Sequence, residues 1–171
     1  MELSKEQRLI LYNQYEILKS IQPENLEHYE VRQQILEHGY KHEYYKMFDF
    51  LGDEMPDDIA SFVWDVLEMY RDLFDSYDEL ESPQKETVDQ QSVQFKGFDG
   101  NEEPAYYGYV CFIVNDMKRY QEIKTYSDEL NSHWPVMDRY EAMLDEWKQI
   151  REIKNRRLKL NAEEILKITG I

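Results

Sequence analysis

The stretch QFKGFDGNEEPAYYGYVCFIVNDM, residues 94–117, decides how the rest of the chain is interpreted. Its first half contains a cluster of turn-forming residues at positions 97–101. Its second half carries no charge over residues 105–114. The aromatic and β-branched residues of that second half are compatible with a buried strand, which is the alternative to a helix here.

We favour a helix after the turn because the residues before the apolar run suit a helix start. Asn101 is a favourable N-cap, Glu102 and Glu103 place negative charge in the first turn, and Pro104 is tolerated there. Apolar residues also recur every third position out to residue 123, farther than a strand would continue. A helix that is apolar on every side is expected to be buried in the middle of a bundle.

The composition predicts a folded, helical chain with a sizeable core. Of its 171 residues 42% are hydrophobic and 14% aromatic, and glycine and proline are few. These features predict an all-α protein with a single domain over residues 1–171. We expect a helical bundle of about six to seven helices around the buried central helix.

The charge of the chain is strongly negative and unevenly distributed. The net charge is −16, with 26 acidic and 9 basic residues in 1–117 but 10 and 11 in 118–171. Such a surface repels phosphate backbones, so nucleic acid is disfavoured as a partner. The basic run KNRRLK at 154–159 is interpreted as a solvated connector that pairs with the acidic body, with a phosphate contact as the alternative.

Three features predict a cytoplasmic protein. The opening MELSKEQR lacks the apolar core of a signal peptide, and no apolar stretch approaches the roughly twenty residues that span a bilayer. The single Cys111 cannot form an internal disulfide, which fits a reducing compartment.

The first two helices have clear boundaries. Ser4 with Gln7 forms a capping-box start, and Pro23 stops the helix that follows. A second helix is predicted for residues 24–38, and Gly39 ends it as the C′ glycine.

The middle of the chain combines a long helix with a polar segment. A short aromatic helix is predicted for residues 40–51, and Pro56 opens a helix that runs to about Leu80. The polar stretch 82–94 is predicted to be a surface loop. Seven apolar residues of the long helix follow a heptad seam: Ile59, Val63, Val66, Tyr70, Leu73, Tyr77 and Leu80. We expect the seam to pack within its own chain, with dimerisation as the alternative.

Two helices are predicted at the end of the chain, the first over residues 135–150. The last is short, with Asn161 as its cap and Glu164 at the third helical position. Leu160 and Ile165 would form a hydrophobic staple across this start.

Short pieces that occur in a fixed order from end to end of the chain carry a family resemblance. They are Gln7-Arg8-Leu9-Ile10-Leu11, Asn13-Gln14-Tyr15, Glu37, Gly39-Tyr40, Met69-Tyr70, Gly97-Phe98-Asp99, Glu103, Tyr107, Leu160 and Ala162-Glu163-Glu164-Ile165. In these pieces the chain resembles the YfbU-like family of small bacterial proteins, one domain of which would fill it. The resemblance implies a cytoplasmic bacterial protein and carries over no catalytic residue.

Histidine and cysteine give weak signals for chemistry. His38 and His42 have the spacing of two metal ligands on a helix, but Gly39 between them is expected to break that helix. We therefore interpret them as surface residues and predict no metal site. Cys111 lies inside the apolar run, where a thiolate is suppressed, so we interpret it as a core residue rather than a nucleophile.

The turn before the uncharged run is the candidate binding site. Phe98 is expected to anchor it, while Asp99, Glu102 and Glu103 form an outward acidic rim beside the cap Asn101. The rim would bind a basic group on a ligand or partner, and a purely structural turn is the alternative. A metal is disfavoured because the spaced carboxylates of a calcium loop are missing.

The sequence predicts a binding protein more than an enzyme. It has no glycine-rich phosphate loop, Gly-x-Ser-x-Gly or Cys-x-x-Cys, so no cofactor is expected. We predict a regulatory or adaptor module that binds a protein or a small ligand. The alternatives are a hydrolase-like enzyme with a carboxylate-lined helical cleft, and a nucleic-acid binder that uses 154–159. The chain is compatible with a monomer or a homodimer.

Overall fold

The computed structural model describes residues 2–123, 129–154 and 159–170, and their regular structure is helical. This part of the chain contains eight α-helices: α1 Lys5–Ile21, α2 Leu26–His38, α3 Tyr45–Phe48, α4 Asp57–Asp78, α5 Ser82–Lys85, α6 Pro104–Cys111, α7 Met137–Lys154 and α8 Ala162–Thr169. A π-helix, Phe112–Asp116, continues α6. The same residues hold no β-strand, only an isolated bridge between Phe98 and Asn131, so the all-α prediction is confirmed.

The chain forms two compact units, Met1–Glu54 and Met55–Ile171, called the N-terminal unit and the C-terminal unit below. That the two units together form a single domain over residues 1–171 stays a prediction. In the part of the chain that the structure describes, no helix has the length and apolar character needed to cross a membrane.

The N-terminal unit is a helical hairpin of α1 and α2 whose ends agree with the sequence. Ser4 and Gln7 form the predicted capping box, and Gly39 ends α2 with φ +69°. Arg8 approaches this end of α2, where its Nη1 donates to the Leu36 carbonyl at 3.0 Å. A Cβ at residue 39 would lie 2.7 Å from that Nη1, so the flexible end of Arg8 would have to move, and the positive φ is the reason for glycine there.

The predicted helix over 40–51 is wrong in its length. The segment forms a 3₁₀ turn at Lys41–Glu43 and the four-residue α3. Only Tyr44 and Met47 are buried, beside Leu36, so the segment lacks the continuous apolar face that stabilises a longer helix.

The C-terminal unit is built around α4. Four of its seam residues, Val63, Val66, Tyr70 and Leu73, are fully buried, so the heptad seam packs inside the unit as predicted. Helices α6, α7 and α8 and the 3₁₀ turn Gln90–Val93 pack against α4 in this unit.

The helix expected at the centre of the core, α6, is buried on one side only. Val110 and Ile113 are fully buried, whereas Cys111 and Val114 are half-buried and Phe112 is 48% exposed. The helix prediction for this stretch is confirmed, but α4 is the central helix. The apolar composition of α6 predicted more burial than the structure shows. The reason is that α6 packs against α4 along one face and leaves the other to solvent.

The polar stretch 82–94 is not the simple surface loop that was predicted. It contains α5 and a 3₁₀ turn at Gln90–Val93, and it buries Val88, Ser92 and Val93. These few buried residues pack the segment against the core, although most of its residues are polar.

The end of the chain follows the sequence closely. The predicted helix over 135–150 is α7, Met137–Lys154. Asn161 and Glu164 form the capping box of α8, and the staple residues Leu160 and Ile165 are buried.

The two described ends of the basic run 154–159 pair with carboxylates. Lys154 Nζ lies 2.5 Å from Glu164 Oε2, and Lys159 Nζ lies 2.8 Å from Glu79 Oε2. These pairs agree with the interpretation as a connector, while residues 155–158 lie outside the described part of the chain.

Candidate functional site

Backbone hydrogen bonds fix the turn at residues 97–103, called the acidic turn below. The Phe98 N–H donates to the Leu130 carbonyl at 3.1 Å, and the Ser132 N–H donates to the Phe98 carbonyl at 3.2 Å. Gly97 has φ +84°, and a Cβ there would lie 2.0 Å from the Leu130 oxygen. Only glycine tolerates both this conformation and this approach.

Glu103 joins the acidic turn to the start of α7. Its Oε2 accepts from the Asp99 N–H at 2.9 Å, and its Oε1 accepts from the N–H groups of Val136 at 2.7 Å and Met137 at 3.0 Å. The residue is buried, and the positive end of the α7 dipole favours its carboxylate. Glu103 is therefore a helix cap that reaches across more than thirty residues of sequence.

The predicted outward acidic rim is wrong for two of its three carboxylates. Asp99 and Glu103 are 4% and 6% exposed, and backbone donors occupy both side chains. Three backbone N–H groups donate to the buried carboxylate of Glu103. They explain why a glutamate is placed here although other acidic residues are its neighbours in the sequence. Only Asn101 and Glu102 are exposed, and their contact with a basic group stays a prediction.

The expected capping role of Asn101 is also wrong. Helix α6 begins at Pro104, with Glu103 at the cap position and no side-chain cap. The Asn101 N–H instead donates to Asp99 Oδ1 at 2.8 Å, so Asp99 is the acceptor that orders the turn. The turn-forming residues 97–101 thus form a complete turn that precedes α6, and they are not the first residues of that helix.

Asn131 contributes to the acidic turn and was missed by sequence reasoning. Its Oδ1 accepts from the N–H groups of Gly100 at 3.3 Å and His133 at 2.9 Å. No local pattern identifies an asparagine whose partner lies thirty-one residues away.

A different part of the C-terminal unit has the irregular backbone that often accompanies function. The Met117 N–H donates to the Phe112 carbonyl at 2.9 Å, the five-residue spacing of a π-helix. Single π turns of this kind are frequent at functional sites.

Non-glycine residues with left-handed backbone follow the π-helix. They are Lys118 (φ 54°), Tyr120 (φ 56°), Leu130 (φ 54°) and His133 (φ 60°). Each such conformation costs about 1–3 kcal/mol and persists only where the surroundings enforce it. The bulky leucine is the most unusual of the four.

A cavity of about 160 Å³, called the Tyr120 pocket below, lies beside this irregular backbone. Two of the left-handed residues line it, together with parts of α4 and the π-helix. The lining residues are Leu67, Phe95, Val114, Asn115, Tyr120, Gln121, Ile123 and Leu130.

The Tyr120 hydroxyl connects the pocket to a charged cluster on α4. It donates to Glu68 Oε1, which also accepts from Arg71 Nη1 at 3.0 Å. Arg71 Nε donates to Glu122 Oε1 at 2.7 Å, and its guanidinium lies 4.1 Å from the centre of the Tyr120 ring. Burial, and then the hydrogen bond to Glu68, raise the pKa of Tyr120, so the hydroxyl remains a donor at neutral pH. In the sequence Tyr120 is one of the apolar residues that recur every third position out to residue 123, and that pattern assigns no role to its hydroxyl.

A second hollow, of about 280 Å³, lies in the N-terminal unit between α1 and the end of α2. Its lining includes the charged residues Lys5, Arg8 and Glu37. Arg8 already serves the carboxyl end of α2, and the backbone around the hollow is regular. We therefore take the Tyr120 pocket as the candidate site.

The other sequence candidates are not assembled into a site. His38 and His42 are exposed, and His38 Nδ1 lies 3.0 Å from the carbonyl of Gln34 in its own helix. Burial raises the pKa of the half-buried Cys111 thiol, which disfavours the nucleophilic thiolate. Within residues 2–123, 129–154 and 159–170, no three histidine, cysteine, aspartate or glutamate residues are arranged to hold a metal ion.

Comparison with known proteins identifies the family of this all-α chain. The family model of the YfbU domain matches residues 1–170. UPF0304 protein MJECS11 of Methanocaldococcus jannaschii is 37% identical over 169 residues, which cover 97% of this chain and 98% of that protein.

The chain belongs to the YfbU family, which confirms the resemblance found in the sequence. Neither description states an activity. The archaeal relative shows that the family extends beyond bacteria, so a bacterial origin of this chain stays a prediction.

Proposed function

We propose that this chain is a regulatory module that binds a small uncharged molecule in the Tyr120 pocket. One observation carries the proposal: the pocket wall includes Tyr120 and Leu130, two non-glycine residues with left-handed backbone. Protein interiors are close-packed, and backbone strain concentrates at ligand-binding and switching segments. A strained wall around an open space is therefore the strongest functional signal in the C-terminal unit.

The lining of the pocket defines the chemistry of the ligand. Five of the eight described lining residues have apolar side chains, but more of the surface exposed to the cavity is polar than apolar, and the lining includes no charged group. Gln121 Nε2 already donates to the Val114 carbonyl at 2.8 Å, whereas Asn115 is exposed at the edge. A cavity of roughly 150 Å³ can hold benzene. The ligand we propose is of about that size, uncharged, with hydrogen-bonding groups for the polar part of the lining and a small apolar part for the five apolar side chains.

The position of Tyr120 suggests how binding is transmitted. Its ring lines the pocket, while its hydroxyl reaches Glu68 and thereby Arg71. A ligand that favours another position of this ring shifts the surface pairs of Arg71 through its differential affinity for the two arrangements. The segment from the π-helix to Ile123 is the element that responds.

The hydrolase alternative receives less support from this pocket. A carboxylate-based mechanism requires acids that converge on a substrate. Among the described residues that line the Tyr120 pocket there is no carboxylate, and Glu68 is already shared by Tyr120 and Arg71. The single cysteine and the net charge of −16 support a cytoplasmic module that does not bind nucleic acid, as part of the same proposal.

Methyl NMR of the whole protein tests this function. Titration with small neutral aromatic alcohols and amides should shift the methyl resonances of Leu67, Val114, Ile123 and Leu130 first. Ile59 and Ile153 lie outside the lining and serve as internal controls.

A cavity-filling variant tests where the compound binds. Val114→Phe should abolish the shifts, because the larger side chain occupies the pocket. Met117→Phe is the matched control, since Met117 is exposed and does not line the pocket. Shifts that survive Val114→Phe, or the absence of any shift at millimolar ligand, would contradict the proposal.

A further inference from the structure

The outer face of α1 is unlike the solvent face of a helix in an acidic protein. No residue of α1 is buried, although the helix has a clear apolar side. Ile10, Ile17 and Ile21 are each 59–67% exposed. Their spacing of seven and four places them within about 40° of one another around the helix axis. They form an apolar stripe, called the isoleucine stripe below.

Nearly all charged residues of α1 are directed away from this stripe and toward α2. Arg8 Nη1 donates to the Leu36 carbonyl, and Lys5 lines a hollow with Leu36 and Glu37. Glu16 Oε2 accepts from a side-chain amide of α2 and pairs with Lys19 at 2.7 Å. Leu11, Tyr12 and Tyr15 pack on the core of this unit, so α1 carries apolar side chains both toward that core and on the isoleucine stripe.

The residues between the isoleucines are polar but uncharged. Asn13 and Gln14 are exposed in the middle of the stripe. Glu6 is the remaining charged residue of α1, and it accepts from the Ser4 hydroxyl at 2.7 Å near the helix start. The central part of the stripe thus presents isoleucine and amide groups with no net charge.

The charge distribution favours a second copy of this chain as the occupant. The N-terminal unit holds 11 acidic and 6 basic residues, and the whole chain has a net charge of −16. A basic partner would be selected by carboxylates, which this stripe lacks. Two equally acidic copies repel each other least where both are uncharged.

The centre of the stripe is self-complementary, whereas the same symmetry places Ile21 opposite Glu6 of the other copy. Ile10 and Ile17 lie symmetrically about the Asn13-Gln14 pair. In an antiparallel pair of α1 helices related by a two-fold axis, each Ile10 packs against Ile17 of the other copy, and the amides meet at the axis. Opposed helix dipoles also favour the antiparallel arrangement.

We propose that the chain forms a homodimer through the isoleucine stripe, with the two α1 helices antiparallel and Ile10 of each copy opposite Ile17 of the other. This inference is independent of the Tyr120 pocket. A helix of seventeen residues is about 25 Å long, so the contact is small and the dimer dissociates on dilution.

Sedimentation velocity of the full chain tests the assembly. The sedimentation coefficient should rise from monomer to dimer between about 1 and 100 µM, the range in which small interfaces dissociate. Ile17→Glu should raise the dissociation constant of the dimer about tenfold or more, because one carboxylate from each copy would lose water and lie against isoleucine. Ile153→Glu is the matched control, since Ile153 is 83% exposed on α7 and the same charge is added.

Mixing two variants tests the antiparallel arrangement. Ile10→Lys alone and Ile17→Glu alone should each be mainly monomeric. Their mixture should recover heterodimer, because one contact then pairs lysine with glutamate while the other keeps both isoleucines. A parallel pair would place each new charge against isoleucine and show no recovery.

Several outcomes would overturn the proposal. A wild-type chain that stays monomeric over the whole range would mean that another protein, or the rest of its own chain, covers the stripe. A dimer unaffected by Ile17→Glu, or a mixture no stronger than its components, would also overturn it. Circular dichroism checks the fold of each variant, and Ile21→Glu replaces Ile17→Glu if the latter is unfolded.

Discussion

The two units of the chain use their apolar residues in opposite ways. Among the described residues, the N-terminal unit exposes ten large hydrophobic side chains and buries four. The C-terminal unit exposes five and buries twenty-four. Burial of apolar area is the main stabilising contribution to folding, so the stability of this protein is concentrated in the C-terminal unit.

The same contrast separates two kinds of polar group. In the acidic turn of the C-terminal unit, carboxylates that appeared available for a ligand are occupied by backbone donors. On α1 of the N-terminal unit, amides lie exposed beside isoleucines that have no cover within α1 and α2. Acidic composition therefore did not indicate which carboxylates are free, whereas the placement of uncharged groups is what supports the proposed interface on α1.

The largest expected effect compares phenylalanines from the two units. Phe98 is fully buried, with Tyr140 and Phe95 rings 5.4 and 5.9 Å away, so Phe98→Ala should cost about 3–5 kcal/mol of unfolding free energy. Phe50 is 78% exposed, and Phe50→Ala should change stability by less than about 0.5 kcal/mol. Chemical denaturation measures both, and equal costs would break the contrast between the units.

A smaller effect compares neighbouring glutamates in the acidic turn. Glu103→Gln replaces one acceptor oxygen with an amide that faces backbone donors, and should cost about 2 kcal/mol. Glu102 is exposed, so Glu102→Gln should be nearly neutral. Thermal unfolding distinguishes the two, and a neutral Glu103→Gln would show that the cap on α7 is unimportant.

A third comparison reverses the capping role expected from the sequence. Asp99→Ala removes the acceptor of the Asn101 N–H and should cost about 1 kcal/mol. Asn101→Ala should have almost no effect, because the exposed side chain is not the helix cap. If Asn101→Ala is the more damaging of the two, the assignment of the acceptor is wrong.

The smallest effect is a change in thiol reactivity on the half-buried side of α6. Burial raises the pKa of Cys111, so the folded protein holds the proton at a pH where the unfolded chain has lost it. The thiol-labelling rate should therefore increase at a higher pH than for the guanidinium-unfolded chain, and stability should fall as the pH rises above the unfolded pKa. Superimposable pH profiles for the two states would contradict this burial.

The sequence predicted features whose physical cause is local. Both capping boxes follow from residues three positions apart, and the seam of α4 follows from a repeat within one helix. Glu103 could not be assigned because its acceptor role depends on Val136 and Met137, more than thirty residues away.

The candidate site was beyond local patterns for a similar reason. The Tyr120 pocket combines residues 67, 95, 114, 115, 120, 121, 123 and 130, and its left-handed backbone occurs at residues that rarely adopt it. The exposure of the isoleucine stripe was equally hidden, since an amphipathic helix does not reveal which of its faces finds a neighbour.

Hydrogen exchange of the full chain at two protein concentrations tests the contrast between the units most directly. We expect the buried amides of α4 to exchange slowly, through global unfolding, at a rate independent of concentration. The amides of α1 should exchange quickly in dilute solution and become protected as the concentration rises. Slow exchange of α1 at every concentration, or the same response in α1 and α4, would contradict the account.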